Sequence, residues 1–179
     1  MTGWRYYGRI GGTLLIICTA VALLLAAVNV ATRDVIAAGE QREREAATIS
    51  LFPAFTDMEE LAGSYPEGVH TVYRIAADGS LLGYAVNLET RGFGGMIQMV
   101  VGLDTSGAVC GLRVLSHAET PGLGSRAMLE SYLAGYRGMR HEPVLGADID
   151  AVSGATISSR AVKNGVALAL SLKLGGGEA

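Results

Sequence analysis

The sequence predicts an α+β domain that follows a single membrane-spanning helix. Two observations indicate this class: an uncharged apolar run near the N-terminus, and strand-like segments grouped apart from helical ones further along. Strands that cluster in sequence, with helices segregated from them, favour an antiparallel sheet with one buried face and helices flanking it. The 179 residues suffice for one such domain and an appendage.

The apolar run extends from Ile10 to Thr32, 23 residues without a charge. At about 1.5 Å per residue, a helix of this length crosses a hydrocarbon core of about 30 Å. The alternative is a cleaved signal peptide, whose apolar region is shorter, at about 7–15 residues. Since no small-residue cleavage site follows before Arg33, the run predicts an uncleaved anchor. Aromatic residues typical of a membrane interface precede it: Trp4, Tyr6 and Tyr7.

The charges around this run favour a cytoplasmic N-terminus. Arg5 and Arg9 precede it, whereas only Arg33 follows it closely, so the soluble part is expected outside the cytoplasm. Alternating Glu and Arg after the run indicate an exposed helix. The predicted organisation is a cytoplasmic N-terminus (1–9), a transmembrane helix (10–32), a helical stalk (33–62) and a globular domain (63–179).

The globular domain contains four predicted strands in two hairpins and two predicted helices. Asp78-Gly79 is a strong hairpin signal, and residues 104–107 form a second turn. The first strand alternates between apolar and polar residues, the third is strongly apolar, and the helices carry apolar residues at helical spacing. The strands are expected at Val69–Ala76, Leu81–Leu88, Met96–Leu103 and Ala108–Leu115; the helices are expected at residues 126–136 and Ser158–Leu174, with glycines 175–177 ending the second.

Composition excludes several function classes. The net charge of −3 offers no basic footprint for nucleic acid. Cys18 and Cys110 lie in different parts of the chain and cannot form a disulfide framework. Without a Cys-x-x-Cys motif or a Cys/His cluster, no metal or iron–sulfur site is expected from this chain. No nucleophile elbow or dinucleotide fingerprint appears, and no catalytic residue is assigned.

The most informative segment runs from Asp150 to Ser159. A turn of small residues, Ser153-Gly154-Ala155, leads to Thr156 at the start of the last predicted helix. Helix starts leave amides unpaired and carry positive dipole charge, so this segment can cradle a phosphate beside a free hydroxyl. The alternative is an ordinary N-cap made by Ser153 or Thr156.

A second polar segment spans residues 116–124, and a glycine-dense one spans Gly92–Gly95. Glycines let backbone approach a planar ligand closely. In the polar segment, Glu119 offers a hydrogen-bond acceptor and Thr120 a hydroxyl to a ligand. Gly122 and Leu123 are further candidate contacts, and His117 lies beside them in the sequence. The alternative for the polar segment is a plain loop shaped by its Pro-Gly turn, and the alternative for the glycine-dense segment is a flexible hairpin mouth.

Three motifs together resemble one family: Gly92-Phe-Gly-Gly, His117-Ala-Glu-Thr-Pro-Gly-Leu-Gly and Asp150-Ala-Val-Ser-Gly-Ala-Thr. With the single anchor before them, they resemble RnfG, the FMN-binding G subunit of the Rnf (Rsx) ion-translocating electron-transport complexes. The resemblance covers nearly the whole chain and implies that residues 63–179 are an FMN-binding domain. A related family, the C subunit of the sodium-pumping NADH:quinone oxidoreductases, shares two of these motifs but typically has longer chains.

The resemblance implies roles for individual residues. One FMN would be attached by a flavin transferase, through its phosphate, to Thr156 as phosphothreonyl-FMN. Asp150 belongs to the same motif. Other residues of the motif would shape the phosphate pocket, and the polar loop would approach the isoalloxazine ring. The pocket residues are Ser153, Gly154 and Ala155; the loop residues are Glu119, Thr120, Gly122 and Leu123, with His117 ordering the loop.

As a whole, the resemblance implies an electron-carrying subunit rather than an enzyme that acts alone. It would relay electrons in an inner-membrane complex that links electron transfer between ferredoxin and NAD(H) to ion movement. Its partners would be the other membrane and iron–sulfur subunits, and its soluble domain would be periplasmic. Two alternatives stay open: a component like the C subunit of the sodium pump, and a membrane-anchored assembly or regulatory module without redox activity.

Overall fold

The structure, a computed structural model, describes residues 3–174. It divides into two compact units, one ending at Arg42 and the other beginning at Glu43. The predicted glycine stop at residues 175–177 lies outside the described residues.

The first unit is helical. Helix α1 covers Gly3–Leu51, and its stretch Tyr7–Arg33 is long and apolar enough to cross a membrane, with none of that stretch buried in the protein. Large apolar side chains such as Leu14, Leu23 and Val30 are therefore exposed. Such a surface is unfavourable in water and suits lipid, in agreement with the predicted anchor.

Helix α1 ends at Leu51, so the helical stalk predicted over residues 33–62 is too long at its C-terminal end. Pro53 cannot continue a helix because it lacks an amide hydrogen and clashes with the preceding turn. Beyond it, Asp57–Glu60 forms strand β1, which pairs antiparallel with residues 73–76. This strand was not predicted, because its Asp-Met-Glu-Glu sequence shows no alternation of apolar and polar residues.

The second unit contains a five-stranded antiparallel sheet in sequential order. All four predicted strands are confirmed: three extend by one to four residues, and the fourth begins and ends one residue later than predicted. Both residues of the first hairpin turn have positive φ, 48° at Asp78 and 79° at Gly79, as a two-residue turn matched to strand twist requires. After β1, the strands are β2 (Val69–Ala77), β3 (Ser80–Arg91), β4 (Met96–Asp104) and β5 (Val109–Ser116).

The predicted helix at 126–136 is instead a series of short turns: a 3₁₀ turn at Gly124–Met128, α2 at Glu130–Leu133, and a 3₁₀ turn at Ala134–Tyr136. Leu129 has extended backbone angles, which interrupts the helix. The last helix, α3, covers Thr156–Ser171, so it begins two residues before the predicted start and ends before Leu174. Thr156 occupies its first turn, as expected.

Both faces of the sheet are covered, whereas the sequence predicted one. On one face, α3 packs Val162, Val166 and Ala169 against β3 and β4, including Leu88 and Met99. The approach is close because position 165 is glycine: a Cβ there would lie 2.6 Å from the Met99 sulfur.

On the opposite face, Ala47 and Phe52 join Ile75, Ala85 and Val100 in a second apolar cluster. The chain just before β1 thus covers a face that alternation alone assigns to solvent. Both faces of the sheet are therefore packed against other parts of the domain. The packing of α3 on β3 and β4 fixes the position of the start of α3 relative to these strands.

Candidate functional site

The three sequence motifs meet at the start of α3 around a cavity of about 270 Å³. Phe93 comes from the glycine-dense segment before β4, and a group of lining residues comes from the loop after β5. The start of α3 supplies the remainder. In full, the lining is Phe93, Glu119, Thr120, Leu123, Gly124, Gly154, Ala155, Thr156, Ile157 and Ser158.

The start of α3 presents free amides. Ala155 occupies the N-cap position, and its carbonyl accepts the Ser159 amide at 2.9 Å. Within residues 3–174, the amides of Thr156, Ile157 and Ser158 have no hydrogen-bond partner, and no side chain caps the helix. The ordinary N-cap, made by Ser153 or Thr156, is therefore not formed. Three amides and the positive helix end remain available to an anion.

Thr156 is exposed at this helix start, directly after the buried Ala155. The turn that delivers it requires glycine, because Gly154 has φ +76° and a Cβ there would lie 3.0 Å from Leu123 Cδ1. The small-residue turn seen in the sequence thus serves two purposes. It makes room for Leu123, and it leaves the Thr156 hydroxyl at the edge of the cavity.

Glu119 joins the three motifs. Its side chain is buried, with the residue only 4% exposed, yet both carboxylate oxygens have protein donors. Oε1 accepts the Gly94 amide at 3.0 Å, and Oε2 accepts the Ser158 hydroxyl at 2.5 Å. The Glu119 amide donates to His117 Nδ1 at 3.2 Å. The carboxylate therefore ties the glycine segment and the polar loop to α3, in addition to bordering the cavity.

The glycines around this carboxylate are required by space. A Cβ at Gly92 would lie 2.2 Å from Glu119 Oε1, and one at Gly124 would lie 2.5 Å from Oε2. At Gly94, a Cβ would lie 2.0 Å from the Ala118 carbonyl oxygen. From the sequence, the glycines were expected to allow the close approach of a planar ligand. In the structure, these glycines permit the close approach of loop to loop and of loop to carboxylate.

The cavity has an exposed apolar rim. Phe93 is 70% exposed, Ile157 50% and Leu123 45%, and all three line the cavity. Apolar side chains gathered around a concave site are typical of binding sites for planar aromatic ligands. Leu123 was predicted at the site from the sequence, whereas Phe93 and Ile157 were not. The only signal for Phe93 was its position among glycines.

Four residues expected at the site lie outside the cavity lining. Gly122 has φ +73° and donates its amide to Ser125 Oγ at 2.9 Å, so it shapes the loop. His117 is exposed and accepts the Glu119 amide. Ser153 and Asp150 are also exposed, in the segment leading to α3. By contrast, Glu119, Thr120, Leu123, Gly154, Ala155 and Thr156 are brought together.

Known proteins resemble the chain over both the site and most of the full length. Residues 92–171, which include all three motifs, match the FMN-binding domain family. The G subunit of the ion-translocating oxidoreductase complex from Cereibacter sphaeroides is 32% identical over 89% of this chain and 81% of its own length. The G subunit of a complex named Na⁺-translocating ferredoxin:NAD⁺ oxidoreductase, from Acetobacterium woodii, is 26% identical over 93% and 91%.

Among solved structures, NqrC from Shewanella oneidensis is 25% identical, covers 65% of each chain and superposes with a TM-score of 0.47. The sequence relatives match 89% and 93% of this chain, so the likeness is not confined to the cavity. The chain therefore belongs to the G-subunit family of ion-translocating oxidoreductase complexes, and residues 92–171 form its FMN-binding domain.

Proposed function

We propose that this chain is the electron-carrying flavoprotein subunit of a membrane-bound ion-translocating complex, with one FMN esterified to Thr156. One observation carries the proposal: an exposed threonine hydroxyl stands at a helix start with three unpartnered amides and borders a cavity with an apolar rim. The amides fit a phosphate, and the rim fits a planar ring.

The attachment is a phosphoryl transfer that a flavin transferase would carry out. The Thr156 oxygen bonds to the phosphorus of a flavin nucleotide that carries a phosphoanhydride, and the anhydride P–O bond breaks. The hydroxyl proton passes to a base of the transferase, and the other phosphate of the anhydride leaves. The protein gains FMN minus one water, and no electrons are exchanged.

The residues of the chain would hold the cofactor at its phosphate and at its ring. The first-turn amides of α3 stabilise the remaining negative charge of the phosphodiester. Phe93, Leu123 and Ile157 would cover the ring and exclude water from it. Bound FMN would supply one- and two-electron chemistry, while the protein sets its position and potential.

The wider function follows from the relatives. One of them is named as a subunit of a Na⁺-translocating ferredoxin:NAD⁺ oxidoreductase complex. This name supports the proposal that the chain relays electrons between ferredoxin and NAD⁺ in a complex that couples the transfer to ion movement. Partners would be the membrane and iron–sulfur subunits of the complex, and the flavin transferase during maturation. The charge balance around Tyr7–Arg33 supports a cytoplasmic N-terminus, and therefore a periplasmic FMN domain in an inner membrane.

The test is intact mass combined with peptide mapping, on full-length protein matured beside its own transferase. Wild-type protein should gain the mass of FMN minus water, located on the peptide that contains Thr156. Thr156→Ala should gain nothing. Thr105→Ala, which removes an exposed hydroxyl in the β4–β5 turn, serves as the matched control and should load normally. Unmodified Thr156 in the matured wild type would refute the proposed bond.

The alternative of a non-redox module predicts a different result. An unstained denaturing gel under ultraviolet light should show a fluorescent wild-type band if FMN is attached, and no band for Thr156→Ala. A dark wild-type band, from a host with an active transferase, would favour an assembly or regulatory role.

A further inference from the structure

A second cleft adjoins the cavity, and Thr156 lines both. This second cleft has a volume of about 520 Å³ and lies between α3 and residues 142–146. Its lining differs from that of the first, because it contains two cationic side chains and an amide side chain. The lining residues are Glu142, Pro143, Val144, Leu145, Gly146, Ala151, Thr156, Arg160, Lys163 and Asn164.

The charges in the wall of this second cleft do not balance. Lys163 Nζ pairs with Glu142 Oε1, which neutralises one cation. Arg160 is exposed and has no hydrogen-bond or ion-pair partner in the part of the chain that the structure describes. One positive charge is therefore left over, on a guanidinium whose planar set of donors matches phosphate geometry.

Helix geometry places this charge beside Thr156. Residues four apart on a helix lie on the same face, with Cβ atoms about 5–6 Å apart. Because helical side chains lean towards the N-terminus, the Arg160 side chain extends in the direction of the first turn. Asn164, one further turn along, lines the same cleft and adds an amide donor.

We propose that the second cleft receives the phosphodiester, and that Arg160 is its charge partner. This inference rests on the proposed esterification at Thr156. The threonine then separates two environments: the ring lies in the apolar cavity, and the two unesterified phosphate oxygens face Arg160 and the first-turn amides. The single negative charge of a phosphodiester matches the single unpaired cation. The cleft thereby favours a flavin nucleotide over uncharged riboflavin.

The experiment is phosphorus-31 NMR on the flavin-loaded full-length chain in detergent, where the phosphodiester gives one resonance. Arg160→Gln should shift that resonance, and Arg160→Lys should return it part of the way. Arg137→Gln removes an exposed cation that lines neither cleft and should leave the resonance unchanged. An unshifted resonance in Arg160→Gln would overturn the inference.

Loading kinetics give a second readout. Because a hydrogen bond to a charged group is stronger than one between neutral groups, Arg160→Gln should slow initial flavin incorporation by about tenfold or more, measured by intact mass. Arg160→Lys should recover much of the rate. If neither variant accepts flavin although both are folded by circular dichroism, Arg160 serves transferase recognition and the charge-partner role is wrong.

The outcomes separate this inference from the proposed function. If Thr156→Ala is blocked while Arg160→Gln loads at the wild-type rate with an unshifted resonance, the ester stands and the role of Arg160 falls. If Thr156→Ala loads as wild type does, both fall.

Discussion

At the scale of single residues, the buried Glu119 carboxylate holds together segments of the site that are distant in the sequence. It accepts from Gly94 and from Ser158, which are 25 and 39 residues away in sequence. Nothing in the local pattern specifies such distant partners. From the sequence, Glu119 was therefore expected to face the ligand, whereas both of its carboxylate oxygens accept hydrogen bonds from the protein.

Glu119→Ala should destabilise the domain strongly. The change leaves the Gly94 amide and the Ser158 hydroxyl without an acceptor and opens a void between the loops. Breaking a buried, charge-assisted network by removing one member costs about 3 kcal/mol or more. Chemical denaturation of the full-length chain measures this cost. Glu67→Ala, at an exposed carboxylate, is the control and should change the unfolding free energy by less than about 0.5 kcal/mol. Equal effects would show that the Glu119 network contributes little.

Cys110 should behave as an inert thiol at neutral pH. Burial raises its pKa from 9.0 to about 11. A raised pKa means less thiolate at a given pH, so alkylation at pH 8 should be roughly a hundredfold slower than for a thiol with the ordinary pKa. In a Cys18→Ser background, the rate should rise about tenfold per pH unit until about pH 11. A rate that levels off near pH 9 would contradict the raised pKa, and denaturant should restore ordinary reactivity.

At the scale of elements, the predictable features were those encoded locally. Alternation and the Asp78-Gly79 turn located four strands, and the small-residue turn located the start of α3. Strand β1 was missed because an exposed edge strand with charged residues needs no apolar alternation. The prediction of one helix at 126–136 was wrong because the helix is interrupted at Leu129. There the backbone is extended although the apolar stripe continues in the sequence. Tertiary packing overrides periodicity in such short segments.

The glycine-dense segment before β4 offers a matched test at this scale. Gly94→Ala would place a Cβ 2.0 Å from a backbone carbonyl oxygen, whereas Gly95→Ala places one 3.5 Å from the Ala118 side chain, an ordinary contact. Gly94→Ala should therefore separate the two loops, lower the thermal midpoint and reduce flavin loading, at a cost of about 2–4 kcal/mol. Gly95→Ala should be close to wild type in both measurements. Equal tolerance of the two substitutions would show that the loops do not need this close approach.

At the scale of the whole molecule, the chain combines a membrane helix with a domain that folds around its own core. The anchor was predictable because the hydropathy of a segment can be read directly from its residues. In the structure, the leucines of this span are exposed and not buried against the protein. The covering of the second sheet face was not predictable, since it depends on where Ala47, near the end of α1, and Phe52, just after it, pack against the sheet. Likewise, the motifs identified the segments of the site, but only the fold shows which side chains reach the cavity.

A charge in the span should impair insertion. Leu24 is an exposed apolar residue near the middle of Tyr7–Arg33, and arginine at the centre of a membrane helix costs about 2.5–3.5 kcal/mol on insertion scales. Leu24→Arg should therefore increase the fraction of protein released from membranes by alkaline carbonate. Leu24→Ile should stay membrane-bound like the wild type. Full retention of Leu24→Arg would indicate that other segments hold the chain at the membrane.

The position of α3 in the chain has a consequence for the timing of maturation. Every strand of the sheet precedes this helix in sequence, and α3 buries one face of the sheet as it docks. The hydroxyl at its first turn meets the loops from β3–β4 and β5 only after that docking. The proposed loading at Thr156 would thus be a late event that a nascent or half-assembled chain could not undergo, and an attached flavin would mark those copies whose folding is finished.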